Sequence, residues 1–324
     1  MRHAPLGQSG LRVPVLGLGT NSFGTRTDRD TAAAILDRAL DAGCNLIDTA
    51  NTYARGESEA IIGQAIRGRR QEFLLATKAG LKVGDGPNDR GASRWHLMRE
   101  IQSSLRRLQT DYVDIFWVHT YDPDLPREET LRALDDLVRL GVARYVGCSN
   151  HRAWELALSL GDSRRNGLVR YTAVQPSYSL ADRTPERELI PLCLDQGLGV
   201  VAYYPLAGGI LSGKYRRGEP APEGSRVQTQ PGFARFLDEA RLRLAEGVAE
   251  LARQLGCTPA QLSLAWLIRQ PAVASAIAGA TRVQQLEENL GALQVQLSDE
   301  VMARLEEISR PFVDAPPFAE YRLR

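Results

Sequence analysis

Asp48, Tyr53, Lys78 and His119 are the residues of this chain best suited to moving a proton. Apolar runs end in three of them: "NLIDTA" carries Asp48, "EFLLATK" stops at Lys78 and "YVDIFWVH" stops at His119. An acid at the end of a buried strand is costly unless it has a partner. A carboxylate beside a lysine keeps the amine charged, and a charged lysine near a phenol favours phenolate. A tyrosine tuned in this way can give a proton to a carbonyl oxygen near neutral pH. A neutral histidine can donate a hydrogen bond to the same oxygen. Each residue alone would be an ordinary cap, a solvated lysine, a buried histidine or a packing tyrosine. As a set they are the proton-delivery part of a reductase, lacking only a hydride source. A rival chemistry makes Lys78 a Schiff-base nucleophile in a barrel lyase. Asp48 argues against it, because a nearby carboxylate holds the amine protonated.

The elements that must position this set alternate along the whole chain. "VPVLGLGT" (13–20), "NLIDTA", "EFLLATK", "YVDIFWVH", "ARYVGCSN", "YTAVQ", "LGVVAYYP" and "AVASAIAG" read as strands, each followed by a helical pattern. Short apolar runs between helices imply parallel strands buried on both faces. The count of eight in 324 residues favours a closed (β/α)8 TIM barrel, spanning 1–324 as one domain, over an open sheet. "PLGQSGLRVPVL" predicts a β-hairpin before the first barrel strand. "LSDEVMARLEEIS" predicts an extra C-terminal helix capped by Ser298. The Pro- and Gly-rich stretch "RRGEPAPEGSRVQTQPGF" (216–233) reads as a mobile surface loop.

In such a barrel the strands' C-terminal ends build the active site. Besides Asp48, Lys78 and His119, those ends carry Ser149-Asn150, Gln175 and Tyr203.

Composition narrows the function classes. Charged residues make up 24% and the net charge is +1, with basic residues spread evenly, so nothing favours nucleic acid or an acidic membrane surface. The four cysteines, Cys44, Cys148, Cys193 and Cys257, form no CxxC pair, which argues against a zinc site or a redox dithiol. No signal-peptide core or membrane span is visible, so the expected location is cytoplasmic.

The segments "GLGTNSFG", "IDTANTYARGESE", "LATK", "DIFWVHTYDP", "RYVGCSN", "VQPSYSLADR", "AYYPLAGGILSGKY" and "GATRVQQLEENLGAL" stand in one order along the chain. That order and those motifs resemble the aldo-keto reductases, nearer to the bacterial and potassium-channel β-subunit-like branch than to mammalian aldose reductases. The resemblance implies a TIM barrel closed below by a hairpin, and a tetrad of Asp48, Tyr53, Lys78 and His119 with Tyr53 as general acid. It also implies a nicotinamide cofactor held without a Rossmann fold. Ser149, Asn150 and Gln175 would take its carboxamide, and Tyr203 would stack on its ring. Gly19, Thr20 and Asn21 belong to the same expected site. So does the loop with Tyr204, Pro205, Leu206, Gly208, Leu211 and Lys214, which would cover the pyrophosphate. Gly279, Ala280, Thr281, Arg282, Gln285, Glu288 and Asn289 would meet the adenosine end.

Arg282 suits the 2′-phosphate that NADPH has and NADH lacks, so NADPH is the expected cofactor. Two departures stand out. Ala278 replaces the usual proline, which loosens that loop, and Tyr204 replaces a small polar residue. Phe23, Trp95 and Trp117 are the expected aromatic wall of a substrate pocket. The expected partner is a small carbonyl compound, and oligomeric state is not legible. A second class of function, a regulatory NADPH-binding protein with little turnover, follows from the β-subunit likeness.

Overall fold

The hairpin comes first: strand β1 (His3–Pro5) pairs antiparallel with β2 (Arg12–Pro14) in this computed structural model, which describes residues 1–229 and 231–323. Gln230 and Arg324, inside the expected loop and domain, lie outside the described residues. Val13 therefore belongs to the hairpin, and the run expected as one strand divides around Val15. Pro14 has no N–H to give a ladder, which suits a strand end.

Eight parallel strands then close the barrel: β3 (Leu16–Gly19), β4 (Leu46–Asp48), β5 (Leu74–Ala79), β6 (Val113–Val118), β7 (Ala143–Ser149), β8 (Ala173–Gln175), β9 (Gly199–Ala202) and β10 (Val273–Gly279). β10 pairs with β3, so no edge is left. Around them run α1 (Arg29–Asp41), α2 (Glu57–Ala65), α3 (Arg94–Leu108), α4 (Arg127–Arg139), α5 (Ala153–Asn166), α6 (Leu189–Gln196), α7 (Arg226–Thr229), α8 (Glu239–Gln254), α9 (Pro259–Leu267), α10 (Val283–Leu290) and α11 (Asp299–Ser309). Local chemistry sets several starts. Asp28, Ser93 and Ser298 accept from backbone N–H groups in the first turns of α1, α3 and α11, and Thr258 with Gln261 forms a capping box on α9. None of these helices is long and apolar enough to cross a membrane.

The barrel interior is plugged from below. Leu6 and Val13 of the hairpin segment pack with Leu46, Ala76, Ile115, Trp117, Ala173, Val201, Ala274 and Ile277. Gly7, at φ 59°, lets the hairpin press on the sheet; a Cβ there would lie 2.6 Å from the Gly197 carbonyl. The plug leaves only the opposite end of the barrel open, where the strands finish.

The stretch 216–233 stays at the surface over most of 216–224 but is anchored further along. Ser225, Arg226 and Phe233 are buried, and the Phe236 ring stacks on Phe318 of the C-terminal tail at 4.3 Å. Arg226 and Phe233 supply its packing.

Candidate active site

Asp48, Lys78, His119, Ser149, Gln175 and Tyr203 all stand at or just beyond the C-terminal ends of successive strands. Lys78 is 1% exposed and donates to Asp48 Oδ2, to the Thr49 carbonyl at 2.7 Å and to the Tyr53 hydroxyl at 3.4 Å. Three acceptors for three ammonium protons leave no lone pair for nucleophilic attack. The other Asp48 oxygen accepts from Gln175 Nε2 at 2.9 Å. The network continues across the barrel mouth. Ser149 Oγ donates to the Gln175 carbonyl at 2.8 Å, Asn150 Nδ2 donates to the His119 carbonyl at 2.9 Å, and Tyr203 donates to Asn150 Oδ1 at 2.7 Å. Asn150 sits at φ 57°, a left-handed conformation that Asn tolerates. After Tyr53 the chain turns through Ala54 (φ 49°) and Arg55 (φ 56°), two strained residues at the site.

Burial dominates the electrostatics. It pulls the Lys78 ammonium down, and Asp48 pushes it back up. His119 is held well below the usual imidazole range by burial and then by Lys78, so it is neutral at pH 7. Its ring stands edge-on to Tyr53 with centroids 6.3 Å apart. Tyr53 departs from expectation. Its phenol is pushed up, not down, by burial and by the Asp48 carboxylate. The lysine charge meant to lower it is spent on Asp48, and the pair together is nearly neutral. Tyr53 is thus a firmly protonated donor at neutral pH.

Asp48, Tyr53 and His119 open onto a cavity of about 510 Å³. Four cations also line it: Arg26, Lys214, Arg226 and Arg282. Burial and then repulsion from the three arginines pull Lys214 down. Of the described residues lining the cavity only Asp48 and Glu288 are acidic, and Asp48 is committed to Lys78. Such a wall asks for an anion. Gly209, at φ 102°, lets the Lys214 ammonium fold to within 2.6 Å of where a Cβ would stand. Beyond β10, Gln285 Oε1 accepts from Thr281 N at 2.8 Å, fixing the turn that presents Arg282.

The model of the Aldo/keto reductase family matches residues 15–310. The chain belongs to that family. It is 38% identical over 319 residues to "Uncharacterized oxidoreductase YrpG" of Bacillus subtilis (strain 168), covering 95% of this chain and 96% of that protein. It is 39% identical to "Probable voltage-gated potassium channel subunit beta" of Oryza sativa subsp. japonica, over 95% and 96% of the two chains. It is 36% identical to "L-glyceraldehyde 3-phosphate reductase" of Escherichia coli O157:H7, over 95% and 92%. Family and relatives support an oxidoreductase.

Most residues expected around the cofactor line the cavity of this aldo/keto reductase, from Gly19, Thr20 and Asn21 to Glu288 and Asn289. Leu211 does not, being fully buried in the core, and of the expected tetrad Lys78 lies behind Asp48 rather than in the lining. The expected aromatic wall is elsewhere. Phe23 is fully buried under its loop, and Trp95 is 65% exposed on the outside of α3. Trp117 shares its strand face with His119 but lies one layer deeper, in the barrel plug, where Gly147 makes room for its ring. Alternation gives the face of a side chain, not its depth. Ala278 does not loosen its segment, being buried in β10 and paired with Leu18.

Sequence reading missed Arg26, Arg226 and Tyr321 in the lining. Arg26 lies in a turn, Arg226 opens the four-residue α7, too short to show a period, and Tyr321 lies in the last four residues. No strand-end rule reaches them.

Proposed function

We propose that this oxidoreductase reduces small aldehydes and ketones to alcohols, with NADPH as hydride donor and Tyr53 as general acid. The observation that carries the reading is the convergence of a protonated Tyr53 and a neutral His119 on a cavity whose remaining wall is amide-rich and cationic. That wall fits the cofactor. Ser149, Asn150 and Gln175 suit a carboxamide, Lys214 with Arg226 suits a pyrophosphate, and the exposed Arg282 suits a 2′-phosphate. When bound, NADPH supplies a hydride to the carbonyl carbon.

The protein's own residues do the rest. His119 donates to the carbonyl oxygen and fixes its position. Tyr53 gives that oxygen its proton as negative charge develops, and the Lys78 ammonium, donating to the Tyr53 oxygen at 3.4 Å, meets the charge left there. Solvent returns the proton to Tyr53.

The test is loss of reduced-nicotinamide absorbance with NADPH and 4-nitrobenzaldehyde, with Tyr53→Phe as control. Turnover in the wild type and not in the variant supports the reading. Tight NADPH binding with no turnover of any carbonyl would favour a regulatory protein instead, the reading that the names of the potassium-channel β-subunit relatives suggest.

A further inference from the structure

Tyr53 is followed by three left-handed residues in a row, Ala54, Arg55 and Gly56, at φ 49°, 56° and 92°. Two of them carry a Cβ, and such a run persists only where its surroundings over-determine it. Here the surroundings are polar and come largely from one helix. α3 carries Glu100, Ser104 and Arg107 at i, i+4 and i+7, so the three share a face. Before the turn, Glu100 Oε2 accepts from Asn51 Nδ2 at 2.9 Å, two residues ahead of Tyr53. After it, the Arg107 guanidinium lies flat against Gly56, where a Cβ would stand 2.7 Å from Nε.

The same guanidinium reaches the start of α2. Its Nε and one terminal nitrogen both lie 2.7 Å from Glu59 Oε2, and that terminal nitrogen donates to Ser104 Oγ at 3.3 Å. Glu59 is fully buried, and its other oxygen accepts from Thr77 Oγ1, on the residue before Lys78. The turn is thus clamped between α3 and β5, with α2 drawn so close that a Cβ on Gly63 would lie 2.4 Å from the Arg107 carbonyl. Packing does not require this polar face, because Leu97, Ile101 and Leu108 already seat α3 in the core. Nor is a buried ion pair a good source of stability, since well-packed apolar residues often replace one without loss. What the pair does supply is a fixed geometry.

We propose that Arg107, acting through Glu59 and Gly56, and Glu100, acting through Asn51, are positioning residues that hold the Tyr53 hydroxyl against the oxygen it protonates. The inference rests on the reductase reading above. Proton transfer needs the two oxygens within hydrogen-bond reach, and a small misplacement costs rate steeply. Without the clamp the left-handed run relaxes and carries the phenol with it. The Lys78 donation to Tyr53, at 3.4 Å the longest of that lysine's bonds, is lost first.

The test compares Arg107→Met in the wild type and in Tyr53→Phe, by kcat with NADPH and 4-nitrobenzaldehyde. In the wild type kcat should fall roughly 10- to 100-fold, while NADPH affinity by fluorescence titration stays unchanged. In Tyr53→Phe there is no phenol proton to place, so the substitution should cost nothing further. Equal fold losses in the two backgrounds would overturn the proposal, because a residue that merely props the fold lowers both alike. Arg107→Met leaves the Glu59 carboxylate buried without its countercharge. If it does not fold, the double variant Glu59→Gln, Arg107→Met removes both charges and takes its place in the same comparison. A wild type that reduces 4-nitrobenzaldehyde beside a folded variant with undiminished kcat would sink this inference alone. A wild type that reduces no carbonyl would take the reductase reading with it.

Discussion

The cavity has two walls built on opposite principles. The strand-end wall is a continuous hydrogen-bonded net: Lys78 to Asp48, Asp48 to Gln175, Ser149 to the Gln175 carbonyl, Asn150 to the His119 carbonyl. Each member is placed by barrel register, so none can move without disturbing a strand. The other wall comes from loops and tail. Its parts meet through aromatic contacts, Phe236 on Phe318 and Phe233 on Phe318, and it presents cations that repel one another. A fold can vary such a wall without touching the barrel. On the proposed function, the first wall carries the chemistry and the second selects the cofactor.

The largest expected effect strikes the first wall. Tyr53→Phe removes the proton donor and keeps the ring, so kcat should fall by about 10²–10⁴. NADPH affinity, followed by fluorescence titration, should stay within about twofold, because the variant changes no cation or amide. A matching loss of NADPH binding would mean that Tyr53 serves the second wall and that the division is wrong.

Asp48→Asn tests whether the net is also structural. It strands a buried lysine without its countercharge, and removing one partner of a buried pair costs about 3 kcal/mol or more. The measurement is the urea midpoint. A loss below about 1 kcal/mol would show that the strand ends are not held by this pair.

These two walls also differ in how far the sequence reveals them. Asp48, Lys78 and His119 were legible because a polar residue closing an apolar run is visible in one dimension, and strand ends in a barrel share one rim. The eight-strand alternation was legible for the same reason. Trp117 was misplaced because period-2 alternation gives a face and says nothing about the hairpin plug beneath it. Tyr53 was placed, but its proton affinity was given the wrong direction, since burial outweighs a lysine already neutralised by Asp48. Arg226 and Tyr321 were missed because their positions depend on contacts such as Arg226 over Tyr204 and Thr120 to Tyr321, which no local pattern encodes. Family likeness supplied the cofactor residues; periodicity alone would not have done so.

Acid should weaken the first wall before the second. His151 Nδ1 donates to the Ser149 carbonyl, 2.9 Å away, and burial lowers its pKa to about 4. A depressed folded-state pKa means that the unfolded chain binds the proton first. The associated stability is complete above about pH 6.5 and is lost as pH falls toward 4. The loss approaches about 3 kcal/mol at the lower end for this residue alone, and His119 acts in the same direction. Urea midpoints at pH 7.5, 6 and 5 should fall in that order, and His151→Gln should flatten the trend. A flat profile in the wild type would mean that the imidazoles are not buried neutral.

The smallest effect belongs to the second wall and sharpens the comparison most. Arg282 is the N-cap residue of α10, with an exposed side chain and no ion pair among the described residues. Arg282→Ala should therefore change the urea midpoint hardly at all, within about 0.5 kcal/mol. Charge-assisted hydrogen bonds to a 2′-phosphate are worth about 1.5 kcal/mol or more, so NADPH should bind about tenfold more weakly while NADH is unaffected. Titration of both nicotinamides against the variant separates two causes. Equal losses would place Arg282 on a group the two cofactors share. A loss confined to NADPH would show that this wall can be retuned by one side chain while the strand-end net stays as it was.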